Sequence, residues 1–192
     1  MAKATTKTAT KKTSSKKAGS KKATLKKMAA VKAPATKVGA PPQRVGAKPL
    51  FWLFKSEPDK FSWDDLIAKG KKGEEWDGVR NYLARNNMRE MRLGDLGFFY
   101  HSNAGKDIVG ICEVCALSHQ DSTTDDKRWD CVDVRAVCEM PTPVTLGDVK
   151  DNPKLSDMAL VTSMRLSVQP VTVAEWAVVC KMGGLDLKKI GK

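Results

Sequence analysis

The chain has 192 residues, and its 34 basic and 22 acidic residues give a formal net charge of +12. Residues 1–49 contain thirteen lysines, Arg44 and no acidic residue, whereas the remaining 20 basic and 22 acidic residues nearly cancel. All tryptophans, phenylalanines and cysteines lie after residue 49, so the first segment cannot build a hydrophobic core. We therefore predict a disordered basic tail and Pro/Gly linker over 1–49 and one folded domain over 50–192.

Composition also excludes some locations. No apolar run is long enough to cross a bilayer, and no apolar stretch follows the basic N-terminus as it would in a secretory signal. Five cysteines, an odd number, fit reduced thiols better than a disulfide framework. We expect an intracellular monomer without a membrane partner, in the cytoplasm or nucleoid of a bacterium or in the nucleus of a eukaryote.

Seven lysines of the tail recur at intervals of five residues, mostly separated by Ala, Thr, Ser and Gly. In a helix, each such step would turn the side chain by about 140°, so the lysines would not line one face as in a membrane-surface helix. A single charge sign favours a polyanion, and we expect salt-sensitive binding to nucleic-acid phosphates that is independent of sequence. A solubilising tail is the alternative. The seven are Lys7, Lys12, Lys17, Lys22, Lys27, Lys32 and Lys37.

The folded segment begins with a strand and two helices. The apolar run LFWLF at 50–54 predicts a buried strand. Ser62 and Asp65 have the spacing of a capping box and predict a short helix behind them. From Asn81 onward, apolar residues recur at helical spacing until Gly94, which predicts a second helix.

Strands dominate the rest of the chain. Apolar or alternating runs predict strands over Leu96–His101, 107–117 and 129–140, the last ended by two prolines. One or two short helices are expected within 145–165, and a short strand over 166–170. Thr172 and Glu175 form another capping box, which predicts a C-terminal helix. Strands mixed with short helices, without a βαβ rhythm, indicate an α+β fold around a curved or closed sheet.

Patterns for catalysis or metal binding are weak. Cys112, Cys115 and His119 resemble half of a metal site, but strand residues three apart point to opposite faces. We therefore predict buried thiols and no metal. The chain has no GxSxG elbow, no P-loop and no glycine-rich dinucleotide fingerprint. A binding protein without a cofactor is predicted rather than an enzyme.

The segment WDGVRNYLARNNMR, residues 76–89, is the best candidate for a binding site. A base removed from its stack needs a flat aromatic face and polar groups at its edge, which Trp76, Asp77 and Asn81 would supply. Free amides at the start of the helix, together with Arg85, suit a phosphate. The alternative is an ordinary capped helix with a solvated arginine face, which explains Arg89 equally well.

Five strings resemble the EVE domain family and, within it, the thymocyte nuclear protein group. They are FWLFKSEPDKFSWDDL, WDGVRNYLARNNMR, LGDLGFFYHSN, VGICEV and RLSVQP, which occur in the family's order, and the resemblance covers residues 51–182. It implies a PUA-like mixed β-barrel with peripheral helices. It also implies a reader of modified bases, with modified cytosine in DNA favoured, and no enzyme. The tail lies outside this pattern and resembles the Lys/Ala-rich tails of linker histones and histone-like bacterial proteins.

The resemblance also implies a pocket. Ser56 and Glu57 would face the base from the end of the first strand, and Trp76 would form its aromatic wall. The other implied members are Asp77, Val79, Arg80, Asn81, Arg85, Asn86, Tyr100, His101 and Ser102, with Trp129 as a second aromatic.

Three alternatives to a DNA reader stay open. Kinship with YTH and PUA domains favours a binder of modified RNA, which a requirement for the 2′-hydroxyl would reveal. An enzyme acting on a modified base, such as a glycosylase, would use Glu57 or Asp77 to activate water and would release free base. An architectural chromatin protein would bind through the tail alone.

Overall fold

The computed structural model describes residues 50–187 and residue 190, so the predicted tail and linker over 1–49 lie outside the described residues. Within that part of the chain, strands and α-helices follow one another in a mixed order. They are β1 (Phe51–Ser56), α1 (Trp63–Lys69), β2 (Glu74–Glu75), α2 (Tyr82–Glu90), β3 (Leu96–His101), β4 (Asp107–Gln120), β5 (Asp130–Thr145), α3 (Leu146–Asp151), α4 (Ala159–Thr162), β6 (Val168–Val171) and α5 (Val173–Met182). None of these helices combines the length and the apolar character that crossing a bilayer requires.

All six strands belong to one mixed sheet in the order β2-β5-β4-β3-β1-β6. β1 and β3 are parallel, whereas the other neighbouring strands are antiparallel. Helix α2 contacts both β5 and β6, which lie near opposite ends of the sheet order. The predicted α+β fold with mixed strands and peripheral helices is confirmed, and the strands of the expected mixed β-barrel form one six-stranded sheet.

The sheet carries a hydrophobic core on each face. Side chains of a strand alternate between faces, and along β1 the residues Trp52 and Phe54 enter one core whereas Leu53 enters the other. Helices α1 and α2 cover the first face, and α3, α4 and α5 cover the second. Each large apolar side chain buried in this way contributes about 1.5–3 kcal/mol.

The helix starts follow the predicted capping signals. The Ser62 hydroxyl accepts from the Asp65 amide, the Asp65 carboxylate accepts from the Ser62 amide, and the same reciprocal pair joins Thr172 and Glu175. Asn81 caps α2, because its Oδ1 accepts hydrogen bonds from the amides of the second and third helical residues. Caps of this kind typically contribute about 1 kcal/mol each.

The prediction that prolines end the third long strand is wrong. β5 continues through Pro141 and Pro143 and ends at Thr145. The β4–β5 ladder pairs Gly110 with Glu139 and Ile108 with Val144, so the two prolines lie in an irregular stretch of β5 between these pairs. Proline is tolerated at such a bulge because no ladder donor is needed there.

Candidate nucleic-acid site

A cavity of about 530 Å³ opens beside the end of β1. Its walls come from three parts of the chain that are far apart in sequence. One wall is the segment from Glu74 to Arg80, another is the turn after β1, and Ser167 closes the third side. The lining residues are Lys55, Ser56, Glu57, Lys60, Phe61, Glu74, Glu75, Trp76, Asp77, Gly78, Val79, Arg80 and Ser167.

Asp121 holds the segment 76–80 in place from a neighbouring loop. Its carboxylate accepts from the Gly78 amide at 3.0 Å and from the Arg80 guanidinium at 2.6 Å. Gly78 has a φ of 69°, a left-handed conformation that favours glycine. The Asp121 side chain is only 1% exposed. Burial acts to raise the pKa of Asp121, but hydrogen bonds, above all from Thr123 and Arg80, outweigh it and lower the pKa to about 2.

The same segment gives the cavity an acidic side. Burial raises the pKa of Asp77, and the neighbouring charges of Asp121, Glu75 and Glu74 raise it further. The two glutamates have partners of their own, since Glu75 accepts from Ser122 at 2.5 Å and Glu74 pairs with Lys69 at 2.8 Å. Asp77 therefore provides a carboxylate at the cavity that a hydrogen-bond donor on a ligand can approach.

The opposite wall is the turn between β1 and α1. The Ser56 hydroxyl donates to the Phe61 carbonyl oxygen at 2.6 Å, and Glu57 pairs with Lys60 at 2.7 Å. Lys60 lowers the pKa of Glu57 by hydrogen bonding and by its charge. Lys55 also lies at this wall, and burial lowers its pKa to about 8.

Trp76 is both a wall of the cavity and a part of the core. It is only 7% exposed, and its ring meets those of Phe54, Phe61 and Phe99 edge-to-face at 5.1, 6.3 and 5.5 Å between centroids. Its backbone amide donates to the Val132 carbonyl oxygen at 2.7 Å, which fixes the segment to β5. The indole is therefore held rigidly at the cavity by its packing.

Six of the thirteen predicted pocket residues line this cavity, and they are Ser56, Glu57, Trp76, Asp77, Val79 and Arg80. Four others do not, because they serve the fold nearby. Asn81 caps α2, and Tyr100 packs into the core on the opposite face of the sheet. His101 accepts a hydrogen bond from the Trp63 amide at 3.2 Å, and Ser102 donates to the Ser56 carbonyl oxygen through its amide and its hydroxyl.

The remaining three, Arg85, Asn86 and Trp129, lie outside the cavity on an adjoining surface. Trp129 stacks on Tyr82, with 4.9 Å between centroids and 28° between ring planes. The Arg85 guanidinium lies over the Tyr82 ring. Its Nη2 donates a hydrogen bond to Asn86 Oδ1 at 2.7 Å. None of the three is among the residues that line the cavity.

One cluster has the residue types of a metal site. Ligand atoms of Glu75, His119 and Cys131 lie within 4.8 Å of one another. However, both nitrogens of His119 already have partners, the Asp133 carboxylate at 2.9 Å and the Gln120 carbonyl oxygen at 3.0 Å. Burial acts to lower the pKa of His119, and these hydrogen bonds outweigh it and raise the pKa.

The cysteine of that cluster is also poorly prepared for a metal ion. Burial and the nearby carboxylates raise the pKa of Cys131 to about 12, so the group is a neutral thiol. Its sulfur lies 3.6 and 3.7 Å from the two imidazole nitrogens of His119. Cys112 and Cys115, considered in the sequence, instead contact the backbone oxygens of Gly97 and Lys72.

Comparisons with known proteins identify the family to which this chain is similar. A model of the EVE domain matches residues 50–182. Thymocyte nuclear protein 1 of Mus musculus is 38% identical over 158 residues, which cover 66% of this chain and 70% of that protein. The crystal structure of protein Atu2648 from Agrobacterium tumefaciens is 69% identical with a TM-score of 0.70, covering 71% of this chain and 94% of that one.

A further solved structure contains a ligand. The crystal structure of human THYN1 protein in complex with 5-methylcytosine-containing DNA is 34% identical, with a TM-score of 0.67, and the match covers 71% of this chain and 99% of that one. The six-stranded mixed sheet and its surrounding helices define an α+β domain. Within that class, the chain belongs to the EVE domain family.

Several lining residues were not apparent from the sequence. Glu74 and Glu75 read only as polar residues before the indole, and Phe61 as part of a helix start. Asp121 lies in a polar loop more than forty positions from Gly78 and Arg80, and no local pattern connects them. Only the glycine of WDGVR, which suits a tight turn, indicated that this segment adopts an unusual conformation.

Proposed function

We propose that this protein binds DNA and recognises 5-methylcytosine, flipped out of the duplex into the cavity between residues 55–61 and 74–80. The observation that carries the proposal is the cavity itself, which brings the indole of Trp76, the carboxylate of Asp77 and the turn at Ser56 around one space. Its volume of about 530 Å³ is within the range of small-molecule sites and accommodates one base. The human THYN1 complex with 5-methylcytosine-containing DNA supports the same ligand for this chain.

Cytosine has a polar edge and an apolar ring face, which match the acidic wall and the apolar wall of the cavity. Asp77 accepts a hydrogen bond from the exocyclic amine, as acidic side chains do for cytosine in other readers. Trp76, Val79 and Phe61 offer apolar surface to the ring and its methyl group. Because Trp76 is mostly buried, the base contacts only the part of the indole that lines the cavity.

The preference for the methylated base is expected to be modest. One methyl group in an apolar pocket changes binding by about 1–3 kcal/mol, because it adds little contact area. Flipping a base costs a few kcal/mol in lost stacking and pairing, and this cost is similar for cytosine and 5-methylcytosine. The discrimination between cytosine and 5-methylcytosine therefore depends on the contact with the methyl group alone.

Affinity for the polymer would come from the lysines of residues 1–49. The folded segment has nearly equal numbers of acidic and basic residues, whereas the tail has +14 and no acid. Lysines that neutralise phosphates release counterions, so the tail would hold the protein on DNA at a high local concentration without choosing a sequence. The folded domain then adds the choice of base.

Binding is favoured over catalysis by the surroundings of the candidate acids. Glu57 is paired with Lys60, and the Ser56 hydroxyl donates to a backbone carbonyl oxygen rather than to a general base. Asp77 has acidic neighbours, and in the reader its carboxylate binds the amine of the base. A glycosylase would reveal itself by releasing free base from a methylated duplex on long incubation.

The proposal is tested with the full chain and matched duplexes that carry cytosine, 5-methylcytosine or 5-hydroxymethylcytosine at one position. At fixed salt we expect the 5-methylcytosine duplex to bind about 5- to 100-fold more tightly than the cytosine duplex. Asp77→Asn should weaken binding of the modified duplex. Asp157→Asn replaces an exposed acid that does not line the cavity, and it should leave this binding unchanged. Equal affinities for the three duplexes would contradict a DNA reader, and tighter binding of a methylated RNA would point to RNA instead.

A further inference from the structure

A continuous stack of guanidinium groups and aromatic rings runs away from the cavity across the surface. Its members, in order, are Arg80, Trp129, Tyr82 and Arg85, and we call them the guanidinium–aromatic stack. The Arg80 guanidinium lies 5.7 Å from the Trp129 ring, that ring stacks on Tyr82 at 4.9 Å, and Arg85 lies 5.0 Å from the Tyr82 ring. Arg80 also lines the cavity, so the stack begins where the cavity ends.

The two arginines at the ends of the stack differ in charge compensation. Arg80 pairs with the buried carboxylate of Asp121. Among the described residues, Arg85 has no carboxylate partner, because it donates only to the amide oxygen of Asn86 and to the carbonyl oxygen of Arg128. Arg89, one turn further along α2, is again neutralised, by Asp130. Arg85 therefore retains a full positive charge on a half-buried and oriented side chain.

We propose that Arg85 binds a backbone phosphate of the DNA strand whose base occupies the cavity, and that Tyr82 and Trp129 hold its guanidinium in position. This inference rests on the proposed function, because it requires a strand that leaves the cavity. A guanidinium has five N–H donors in a fixed plane. Asn86 accepts from Nε and Nη2 of Arg85, and the Arg128 carbonyl oxygen accepts from Nη1. One N–H on each of Nη1 and Nη2 therefore remains for phosphate oxygens.

The geometry favours a phosphate over a second stacked base. Tyr82 has Trp129 stacked on it and Arg85 over it, and Trp129 has Tyr82 and Arg80 as its neighbours. Each ring therefore already has two neighbours along the stack, although Tyr82 is 52% exposed. The charged guanidinium is the group that still lacks an anionic partner.

The spacing of the stack agrees with the dimensions of a DNA strand. Three separations of about 5 to 6 Å connect the two arginines. A strand in a duplex advances about 3.4 Å per nucleotide, so Arg85 lies within a few nucleotides of a base in the cavity. The base and the phosphate can therefore belong to the same strand.

The test uses the full chain and the same cytosine and 5-methylcytosine duplexes, titrated at several salt concentrations. Arg85→Gln is compared with Arg89→Gln, which removes the same charge from the next turn of α2. We expect Arg85→Gln to weaken binding of both duplexes by about tenfold and to reduce the slope of log K against log salt by about 1. Arg89→Gln should leave the slope unchanged. Tyr82→Leu, which keeps the charge and removes the ring that positions it, should weaken both duplexes by a smaller factor.

Two results would overturn the inference. One is an equal loss for Arg85→Gln and Arg89→Gln, which would mean that only general surface charge matters. The other is a change confined to the ratio between the two duplexes, which would assign Arg85 to base reading. Failure of the proposed function is distinguishable, because the unmodified protein would then bind both duplexes equally. Thermal unfolding of each variant verifies that the fold is intact.

Discussion

At the residue scale, Trp76 has two roles that must be separated. Its packing against Phe54, Phe61 and Phe99 makes it a core residue, and its place at the cavity makes it a wall for a ligand. Loss of DNA binding after its truncation would therefore have two explanations. A smaller change that keeps an aromatic ring is needed to examine the ligand alone.

We expect Trp76→Ala to lower the free energy of unfolding by about 3–5 kcal/mol, because it leaves a cavity inside an aromatic cluster. Trp76→Phe should cost less and should reduce affinity for the 5-methylcytosine duplex while the protein stays folded. Urea unfolding and duplex titration measure the two effects. A Trp76→Ala protein as stable as the unmodified chain would contradict the structural role of the indole.

Asp77 gives the site a pH dependence. Burial and then the charges of Asp121, Glu75 and Glu74 raise its pKa above the ordinary value of 3.8, so its carboxylate becomes protonated at a higher pH than usual. A protonated acid accepts less well from the amine of the base. Affinity for the modified duplex should therefore fall as the pH decreases through the raised pKa.

The measurement is the affinity of the 5-methylcytosine duplex at fixed salt from about pH 4 upward to neutral pH, for the unmodified chain and for Asp77→Asn. Lys55, which lies at the same cavity with a pKa of about 8, and His119, whose pKa is raised, are present in both proteins and cancel in the comparison. The unmodified chain should lose affinity at acidic pH relative to Asp77→Asn. Identical pH profiles would show that Asp77 does not bind the base as a carboxylate.

At the scale of elements, the cavity depends on one ion pair between two loops, in which the carboxylate is buried and the guanidinium is partly exposed. Asp121 joins the loop after β4 to the segment that leads into α2, through Arg80 and the Gly78 amide. Its pKa of about 2 is lower than the ordinary 3.8. The stabilisation from the charged form is thus complete above the ordinary value and is lost as the pH falls through about 2.

We expect Asp121→Asn to lower the free energy of unfolding by about 1–3 kcal/mol at neutral pH and to reduce the preference for 5-methylcytosine. The loss of stability should shrink below about pH 4, as the native carboxylate becomes protonated. Asp126→Asn is the matched control, since that acid lies in the same loop but pairs with the exposed Arg128. An equal effect of the two substitutions would contradict the special role of Asp121.

The elements themselves were largely predictable, because their signals are local. β3 has the predicted bounds, and the capping boxes at Ser62 and Thr172 begin helices as expected. The end of β5 was mispredicted because a sequence does not reveal where a strand ladder is interrupted, and Pro141 and Pro143 lie at such an interruption. In the same way, Asn81 has the composition of a ligand-binding residue, but its Oδ1 is occupied as a helix cap.

At the scale of the whole molecule, the site is assembled from distant segments. The sequence indicated WDGVR and the turn at Ser56 separately, and their meeting around one cavity follows from the pairing of the strands. The contribution of Asp121 was hidden because it acts over more than forty positions. The predicted second aromatic, Trp129, belongs to the guanidinium–aromatic stack because Tyr82 provides it with a partner.

The division of charge along the chain leads to a prediction for the tail. Replacing its seven periodic lysines, from Lys7 to Lys37, with glutamine should weaken binding to cytosine and 5-methylcytosine duplexes by the same factor. Each lysine that contacts a phosphate should contribute about 0.9 to the slope of log K against log salt. Titration at several salt concentrations measures both effects. A change in the ratio between duplexes would show that the tail takes part in reading the base.

The most direct test of the central claim asks whether the modified base leaves the duplex. A duplex would carry 2-aminopurine beside one 5-methylcytosine, and its fluorescence would be followed as the full chain is added. Because unstacking of a neighbour increases this fluorescence, we predict a clear rise with the 5-methylcytosine duplex and a smaller one with its cytosine counterpart at equal occupancy. A preference for 5-methylcytosine without any rise in fluorescence would contradict base flipping and would mean that the methyl group is read within the intact helix.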